Sequence, residues 1–132
     1  MKFKYIKMLA GRKLEFVSLP IIEITFPQGN FICLVDSGAD YCYLPAVVGE
    51  ALGIDVRKGE KMEGKGITGR PFEAYFHTVE FRVGGWGYKA KMGFSYELGV
   101  PFGILGREGF FSLFKKVCFE HKQEEIELKP YI

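Results

Sequence analysis

The sequence contains few of the residues that bind metals or cross-link secreted proteins. Its 132 residues include three cysteines and two histidines, and no spacing among them resembles that of a zinc site. Because three cysteines cannot all pair within one chain, we interpret Cys33, Cys42 and Cys118 as free thiols in a reducing compartment. We therefore expect a cytoplasmic protein with no metal site.

The chain also lacks a strong excess of charge and a long apolar run. Eighteen basic and 16 acidic residues leave a net charge of +2, which gives no reason to expect a nucleic-acid partner. No apolar segment reaches the length of a bilayer-spanning helix, and the first residues lack the pattern of a signal peptide. We expect no membrane partner either.

Aromatic residues and an alternating pattern are what the sequence does contain. Thirteen phenylalanines and seven tyrosines favour β-strands, and a length of 132 residues fits a single domain spanning 1–132. Alternation of apolar and polar residues between turn signals predicts strands at 1–9, 14–26 (divided or bent at Pro20), 31–36, 72–83, 86–94, 117–121 and 125–129. Short helices are predicted at 45–52, which a proline and a glycine frame, and at 108–116, where three phenylalanines have helical spacing. The pattern predicts an all-β, barrel-like domain of about nine strands.

The central segment is the apolar run 31–35, which leads directly into Asp36, Ser37 and Gly38. Five apolar residues in a row are typical of a strand buried on both faces. A carboxylate at the end of such a strand has little water around it and needs hydrogen-bond donors or a partner. These residues favour a carboxylate held at the floor of a cleft, although an ordinary turn after a strand has the same composition.

Two further segments complete the pattern. Residues 59–70 contain four glycines, which predicts either a mobile hairpin or a plain exposed loop. Ile104-Leu105-Gly106-Arg107 precedes the predicted helix 108–116 and lies about seventy residues after Asp36.

Together these segments resemble the retropepsin-like family, the single-domain aspartic proteases of retroviruses and their cellular and bacterial relatives. The resemblance covers roughly residues 14–129 and rests on Asp36 to Asp40, on Ile104 to Arg107, and on the glycine-rich hairpin between them. It implies a closed barrel, of the kind found in one half of an acid protease, with a flap hairpin over the cleft and one or two short helices. Ser37 stands where most retroviral members have threonine.

The resemblance also implies roles for individual residues. Asp36 would be the catalytic aspartate, Ser37 would bond across a dimer, and the Gly38 backbone would meet the substrate. Ala39 and Asp40 would bind the substrate main chain. The flap would contribute the substrate-binding residues Gly64, Gly66, Ile67 and Thr68. Structural support of the site would come from Ile104, Leu105, Gly106 and Arg107, with Arg107 paired to Asp40 and both partly buried near the cleft floor.

The number of aspartates bears on how many chains make one site. Aspartic protease chemistry needs two carboxylates, and the chain has only Asp36, Asp40 and Asp55. Asp40 lies too close to Asp36, and Asp55 has no apolar strand behind it. We therefore predict a homodimer that hydrolyses a peptide or protein substrate without any cofactor. A non-catalytic dimeric peptide-binding module of the same fold and a structural β-barrel domain are the alternatives.

Overall fold

The computed structural model describes residues 1–10, 15–65 and 69–132. These residues form one α-helix, two short 3-10 turns and twelve β-strands. The strands are β1 (Lys2–Lys4), β2 (Ile6–Ala10), β3 (Glu15–Leu19), β4 (Ile21–Phe26), β5 (Gly29–Val35), β6 (Tyr43–Pro45), β7 (Glu60–Lys65), β8 (Pro71–Val83), β9 (Trp86–Ser95), β10 (Gly103–Leu105), β11 (Lys116–Glu120) and β12 (Glu125–Lys129). The predicted all-β class is confirmed.

Six of the strands close into a barrel. Their order is β4, β5, β10, β6, β9 and β8, and the ring closes where Thr25 of β4 pairs with Arg82 of β8. β7 extends the sheet beyond β8 as an edge strand. The predicted closed barrel is therefore confirmed, and β7, which lies in the glycine-rich segment 59–70, is at one side of it.

The short strand β10 occupies the centre of this arrangement. It pairs in parallel with β5 and antiparallel with β6, although both precede it in the chain by sixty residues or so. A side chain at Gly103 would collide with the Leu44 side chain and with the Cys33 sulfur, so any larger residue would force these two buried side chains to shift. This insertion brings the segment 104–107 beside Asp36.

Two smaller sheets stand outside the barrel. β1 pairs with β12, and β12 pairs with β11, so both ends of the chain are joined in one three-stranded sheet. β2 and β3 form a separate hairpin, and its Ser18 hydroxyl donates a hydrogen bond to Glu124 at 2.8 Å. The alternating pattern at 1–9 predicted a single strand, and the structure divides it at Tyr5.

The long strand β8 serves two apolar clusters because its buried face changes partway along. Ala74 and Phe76 pack with Tyr43 in a small cluster. Farther along, Val79 and Phe81 belong to the main core inside the barrel. Complete burial of a side chain such as Phe or Leu contributes about 1.5–3 kcal/mol, so these clusters account for much of the stability.

The helical predictions had mixed outcomes. The first helix is confirmed as α1 (Ala46–Ala51), which begins directly after Pro45. The predicted helix 108–116 is wrong, because only a 3-10 turn forms there, at Phe111–Leu113. Gly109 has a φ of +99°, which interrupts the right-handed spiral before the phenylalanines begin. Across the described ranges, no helix combines the length and the apolar character needed to cross a membrane.

Candidate active site

Asp36 directly follows β5, and backbone hydrogen bonds hold the chain on both sides of it. The Val35 N–H donates to the Pro20 carbonyl at 2.9 Å, and the Asp36 N–H donates to the Leu105 carbonyl at 3.0 Å. Val35 and Leu105 are both buried in the core. The Asp36 backbone is therefore fixed by β10 and by Pro20, the residue between β3 and β4, while its side chain stays half-buried.

The turn after Asp36 folds back onto the carboxylate. The Gly38 N–H donates to Asp36 Oδ1 at 2.9 Å, and the Ala39 N–H donates to the Asp36 carbonyl at 3.2 Å. A side chain at Gly38 would approach Asp36 Oδ1 to 3.2 Å. One carboxylate oxygen is thus held by the turn, and no hydrogen bond from the described residues engages Oδ2.

A second loop, formed by residues 104–108, closes against the first. The Arg107 N–H donates to the Ala39 carbonyl at 2.9 Å, and the Glu108 N–H donates to the Asp40 carbonyl at 2.8 Å. At Gly106 a side chain would run into the Tyr41 carbonyl oxygen, so the close approach of the two loops requires glycine. These backbone contacts make the two loops a single unit.

The Cys42 thiol lies beneath the junction of the two loops. Its sulfur accepts a hydrogen bond from the Gly106 N–H at 3.3 Å and is 3.5 Å from the Glu108 carbonyl oxygen, to which the thiol donates. Burial raises the pKa of Cys42 to about 12, against the opposing effect of the Gly106 hydrogen bond. The group therefore stays a neutral thiol at physiological pH and serves as packing and as a weak hydrogen-bonding group.

Asp40 and Arg107 join the two loops through their side chains as well. Arg107 Nη2 donates to Asp40 Oδ1 in an ion pair. The Arg107 and Asp40 side chains are 56% and 70% exposed, so the expectation that both lie partly buried near the cleft floor is wrong. The pair sits at the rim of the cleft, where solvent weakens the attraction between the charges.

A cleft of about 920 Å³ opens above Asp36. Of the residues singled out in the sequence, Asp36, Gly38, Ala39, Asp40, Gly64 and Ile104 line it. Leu105 and Gly106 are buried behind it, while Ser37 and Arg107 are exposed at its edge. Gly66, Ile67 and Thr68 lie outside the described residues, but their neighbours Gly64, Lys65 and Arg70 are at the mouth of the cleft.

The sequence reasoning did not single out most of the cleft wall. Further lining residues are Leu34, Tyr41, Tyr43, Glu63, Lys65, Arg70, Pro71, Phe72, Glu97, Leu98, Val100 and Phe102. One signal was available for two of them: Tyr41 and Tyr43 flank the buried Cys42, and alternation along an extended chain sends both tyrosines to the opposite face. The residues of 97–102 carry no such pattern.

The arrangement favours acid–base chemistry by a carboxylate. Within residues 1–10, 15–65 and 69–132, no group of three or more His, Cys, Asp or Glu side chains is arranged to hold a metal ion. What the cleft offers is a rigidly placed carboxylate, backbone groups along one wall and an apolar lining. An extended peptide suits such a surface, because it presents a hydrogen-bonding main chain and alternating side chains.

Comparison with known proteins gives consistent results. The family model described as aspartyl protease matches residues 22–108. The crystal structure of a retropepsin-like aspartic protease from Rickettsia conorii superposes with a TM-score of 0.63 at 18% identity, covering 94% of this chain and 98% of the other. The EIAV protease in complex with the inhibitor HBY-793 superposes with a TM-score of 0.53 at 25% identity, covering 68% of this chain and 83% of the other. A comparison with curated protein sequences gives no match. The predicted retropepsin-like fold is confirmed.

Proposed function

This chain belongs to the aspartyl protease family, and we propose that it is an aspartic endopeptidase that acts as a homodimer. The observation that carries the proposal is the position of Asp36. Its backbone is fixed by Leu105, one of its carboxylate oxygens accepts from Gly38, and it lines the floor of the cleft. A carboxylate held in this way is oriented before any substrate arrives.

The second carboxylate comes from a second copy of the chain. Asp40 is engaged by Arg107 at the cleft rim, and Asp55 lies 3.6 Å from the ammonium group of Lys58 on the surface. Neither is available to share a water with Asp36. A two-fold axis through the cleft brings two Asp36 side chains together and gives the dimer one symmetric site. Ser37, exposed beside Asp36, is then placed to bond across the axis.

The chemistry follows from two carboxylates that share one proton. Two such groups in contact cannot both ionise at low cost, so one is protonated while the other is charged. The charged carboxylate takes a proton from a water molecule as the water attacks the scissile carbonyl carbon. The protonated carboxylate gives its proton to the carbonyl oxygen, where negative charge develops. The tetrahedral intermediate then breaks down: the carboxylate that took the water's proton passes it to the amide nitrogen, the C–N bond breaks, and a hydroxyl proton returns to the other carboxylate. No cofactor takes part in these reaction steps.

The substrate is an extended peptide that lies between the Asp36 loop and the glycine-rich hairpin. Gly38, Ala39 and Asp40 offer groups to its main chain from one wall of the cleft. Gly64 faces it from the other side of the cleft, and we propose Gly66, Ile67 and Thr68 as further substrate-binding residues. Ile104 contacts the substrate side chains, while Leu105, Gly106 and Arg107 keep the Asp36 loop in position.

The proposal is tested with two isosteric substitutions. Asp36→Asn keeps the shape of the side chain but removes its charge, and Asp55→Asn does the same on the surface. Both variants and the wild type are incubated with a fluorogenic peptide library from about pH 4 to about pH 7. In this range we expect the two Asp36 carboxylates to share one proton. Circular dichroism and sedimentation verify that each variant is folded and in the same oligomeric state.

We expect cleavage by the wild type and by Asp55→Asn, and a loss of at least about a hundredfold in Asp36→Asn. A transition-state-mimicking inhibitor of aspartic proteases abolishes the activity of both active proteins. Cleavage that persists in folded Asp36→Asn contradicts the mechanism. A folded wild-type dimer that binds peptides at every pH without cleaving them establishes the non-catalytic peptide-binding module instead.

A further inference from the structure

Tyr43 occupies a wall of the cleft that the mechanism leaves unused. It begins β6 and pairs with Ile104 of β10, and β10 in turn pairs with β5, the strand that leads into Asp36. Its residue is only 8% exposed, and it lines the cleft. Tyr43 is therefore a buried side chain in reach of a bound peptide.

The ring of Tyr43 is held on two sides by other aromatic rings. The centroid of Phe72 is 5.0 Å away and that of Phe76 is 5.9 Å away, both in edge-to-face geometry. Contacts of this kind are favourable beyond the area they bury, and they restrict rotation of the ring. The position of the phenol oxygen is set by the fold before a substrate binds.

The phenol oxygen has no partner among the described residues. None of the hydrogen bonds between described residues uses the Tyr43 oxygen. A fully buried oxygen in this situation would lack a partner, and the described residues contain no such buried side-chain atom. The oxygen is therefore not fully buried. Because Tyr43 lines the cleft, we take the cleft to be where this oxygen is accessible. Burial and, after it, the charge of Asp40 raise the pKa of Tyr43, so the phenol is neutral and both donates and accepts.

The surroundings define what fits next to this oxygen. Phe72, Leu98 and Ile104 pack around the Tyr43 cluster and make its walls apolar. The Tyr43 ring fills space that a smaller residue would leave as a deep apolar pocket. Asp40 stands at the polar side of the same wall, with its carboxylate already bound to Arg107.

We infer that Tyr43 is a specificity-determining residue, which selects peptides with a short hydroxyl or amide side chain (Ser, Thr or Asn) between Asp40 and Ile104. The ring limits the depth of this subsite, and the phenol hydrogen-bonds to the polar side chain. The inference rests on the proposed function, because it concerns the substrate of the same cleft. In a homodimer the subsite occurs twice, so the preference applies at two peptide positions, one on each side of the cleaved bond.

The test compares threonine with valine, which have the same shape and differ in the hydroxyl. Each position of a cleaved peptide is scanned with this pair, and kcat/KM is measured for the wild type, Tyr43→Phe and Tyr43→Val. One neutral hydrogen bond corresponds to a preference of about three- to tenfold for threonine. We expect Tyr43→Phe to bring the ratio close to one, and Tyr43→Val to favour leucine or isoleucine at the same positions.

Tyr88→Phe is the matched control. Tyr88 also lies between two aromatic rings, those of Phe81 at 6.1 Å and Phe114 at 5.2 Å. It is half-buried, and it does not line the cleft. Tyr88→Phe should have the same ratio of kcat/KM for the threonine and valine peptides as the wild type. A purely structural effect of removing a tyrosine hydroxyl would change both variants alike.

A binding measurement separates this inference from the proposed function. The same peptide pair is titrated against Asp36→Asn protein with and without Tyr43→Phe, a readout that needs no turnover. Selective binding of the threonine peptide that Tyr43→Phe removes supports the inference even if the wild type cleaves nothing, in which case only the proposed function fails. Cleavage or binding without a threonine preference, or with one that survives Tyr43→Phe, overturns the inference. The proposed function is then decided separately, by whether the wild type cleaves peptides.

Discussion

Gly106 offers a sharp test of how the two loops hold the site together. A methyl group at this position would overlap the Tyr41 carbonyl oxygen and would lie 2.8 Å from the Ala39 carbonyl oxygen, where ordinary contact begins at 3.4 Å. Both obstacles are backbone atoms, so a rotamer change cannot relieve the overlap. Gly106→Ala must therefore push the loop 36–41 away from the loop 104–108.

Two contributions determine how much Gly106→Ala lowers the free energy of unfolding. Overpacking of a tight site destabilises a protein by about 1–3 kcal/mol. The two hydrogen bonds between the loops, from Arg107 to Ala39 and from Glu108 to Asp40, contribute about 0.5–1.5 kcal/mol each and would be strained. We expect Gly106→Ala to lower the free energy of unfolding by about 2–5 kcal/mol. For a domain of this size that corresponds to a fall in Tm of about 7–18 °C.

Gly87→Ala is the control, since nothing lies within 4 Å of a side chain built at Gly87 and its φ is not in the left-handed range. Its stability should change by no more than about 0.5 kcal/mol, or rise slightly because alanine restricts the unfolded chain. Urea denaturation and thermal melting followed by circular dichroism measure both variants. Equal stability of Gly106→Ala and Gly87→Ala would refute the close-packing argument.

Two further predictions concern the core around the site. Leu105→Ala removes a completely buried side chain whose carbonyl holds the Asp36 N–H, so we expect a loss of about 2–5 kcal/mol in urea denaturation, and a loss below about 1 kcal/mol would speak against this packing. For the thiols, burial raises the pKa of Cys42 to about 12 and that of Cys33 further, while Cys118 is only half-buried. A thiol-reactive dye at pH 8 should therefore label Cys118 alone in the native protein and all three cysteines in denaturant, whereas fast native labelling of Cys33 or Cys42 would be incompatible with the buried strands.

The parts of the fold that the sequence predicted well are local. The hairpin of β8 and β9 follows from alternating residues on both sides of Gly84-Gly85, and both glycines have the positive φ that such a turn requires. The helix α1 follows from its flanking proline and glycine. In each case the information lies within about ten residues of the element it specifies.

The parts that were missed depend on distant partners. β10 has three residues, and only its pairing with β5 and β6 makes it a strand. The apolar run 31–35 was predicted to be buried on both faces, but only Cys33 and Val35 are buried, because the cleft lies against Leu34. The phenylalanines after Gly109 have helical spacing but turn inward from irregular backbone. Tertiary contacts decide each of these cases.

For the site, the sequence pointed to the residues that form the floor and not to those that form the walls. Asp36, Gly38 and Asp40 stand out only because Asp36 to Asp40 and Ile104 to Arg107 together resemble the retropepsin-like family, since Asp-Ser-Gly alone is ordinary turn chemistry. Tyr43 and Leu98 look like ordinary core residues, and only the closed barrel brings them to the cleft. The roles of all these residues in substrate binding and catalysis remain proposals that the experiments above test.

The central claim is that two chains contribute one Asp36 each to a single site, and mixing subunits tests it most directly. Wild-type protein is mixed with increasing amounts of Asp36→Asn, subunit exchange is verified with fluorescent labels on the two proteins, and cleavage is measured per wild-type chain. At equal amounts, half of the wild-type chains pair with the variant, so activity per wild-type chain should fall to about half and continue to fall with further excess. Activity per wild-type chain that is unchanged by any excess of exchanging Asp36→Asn would contradict the shared site.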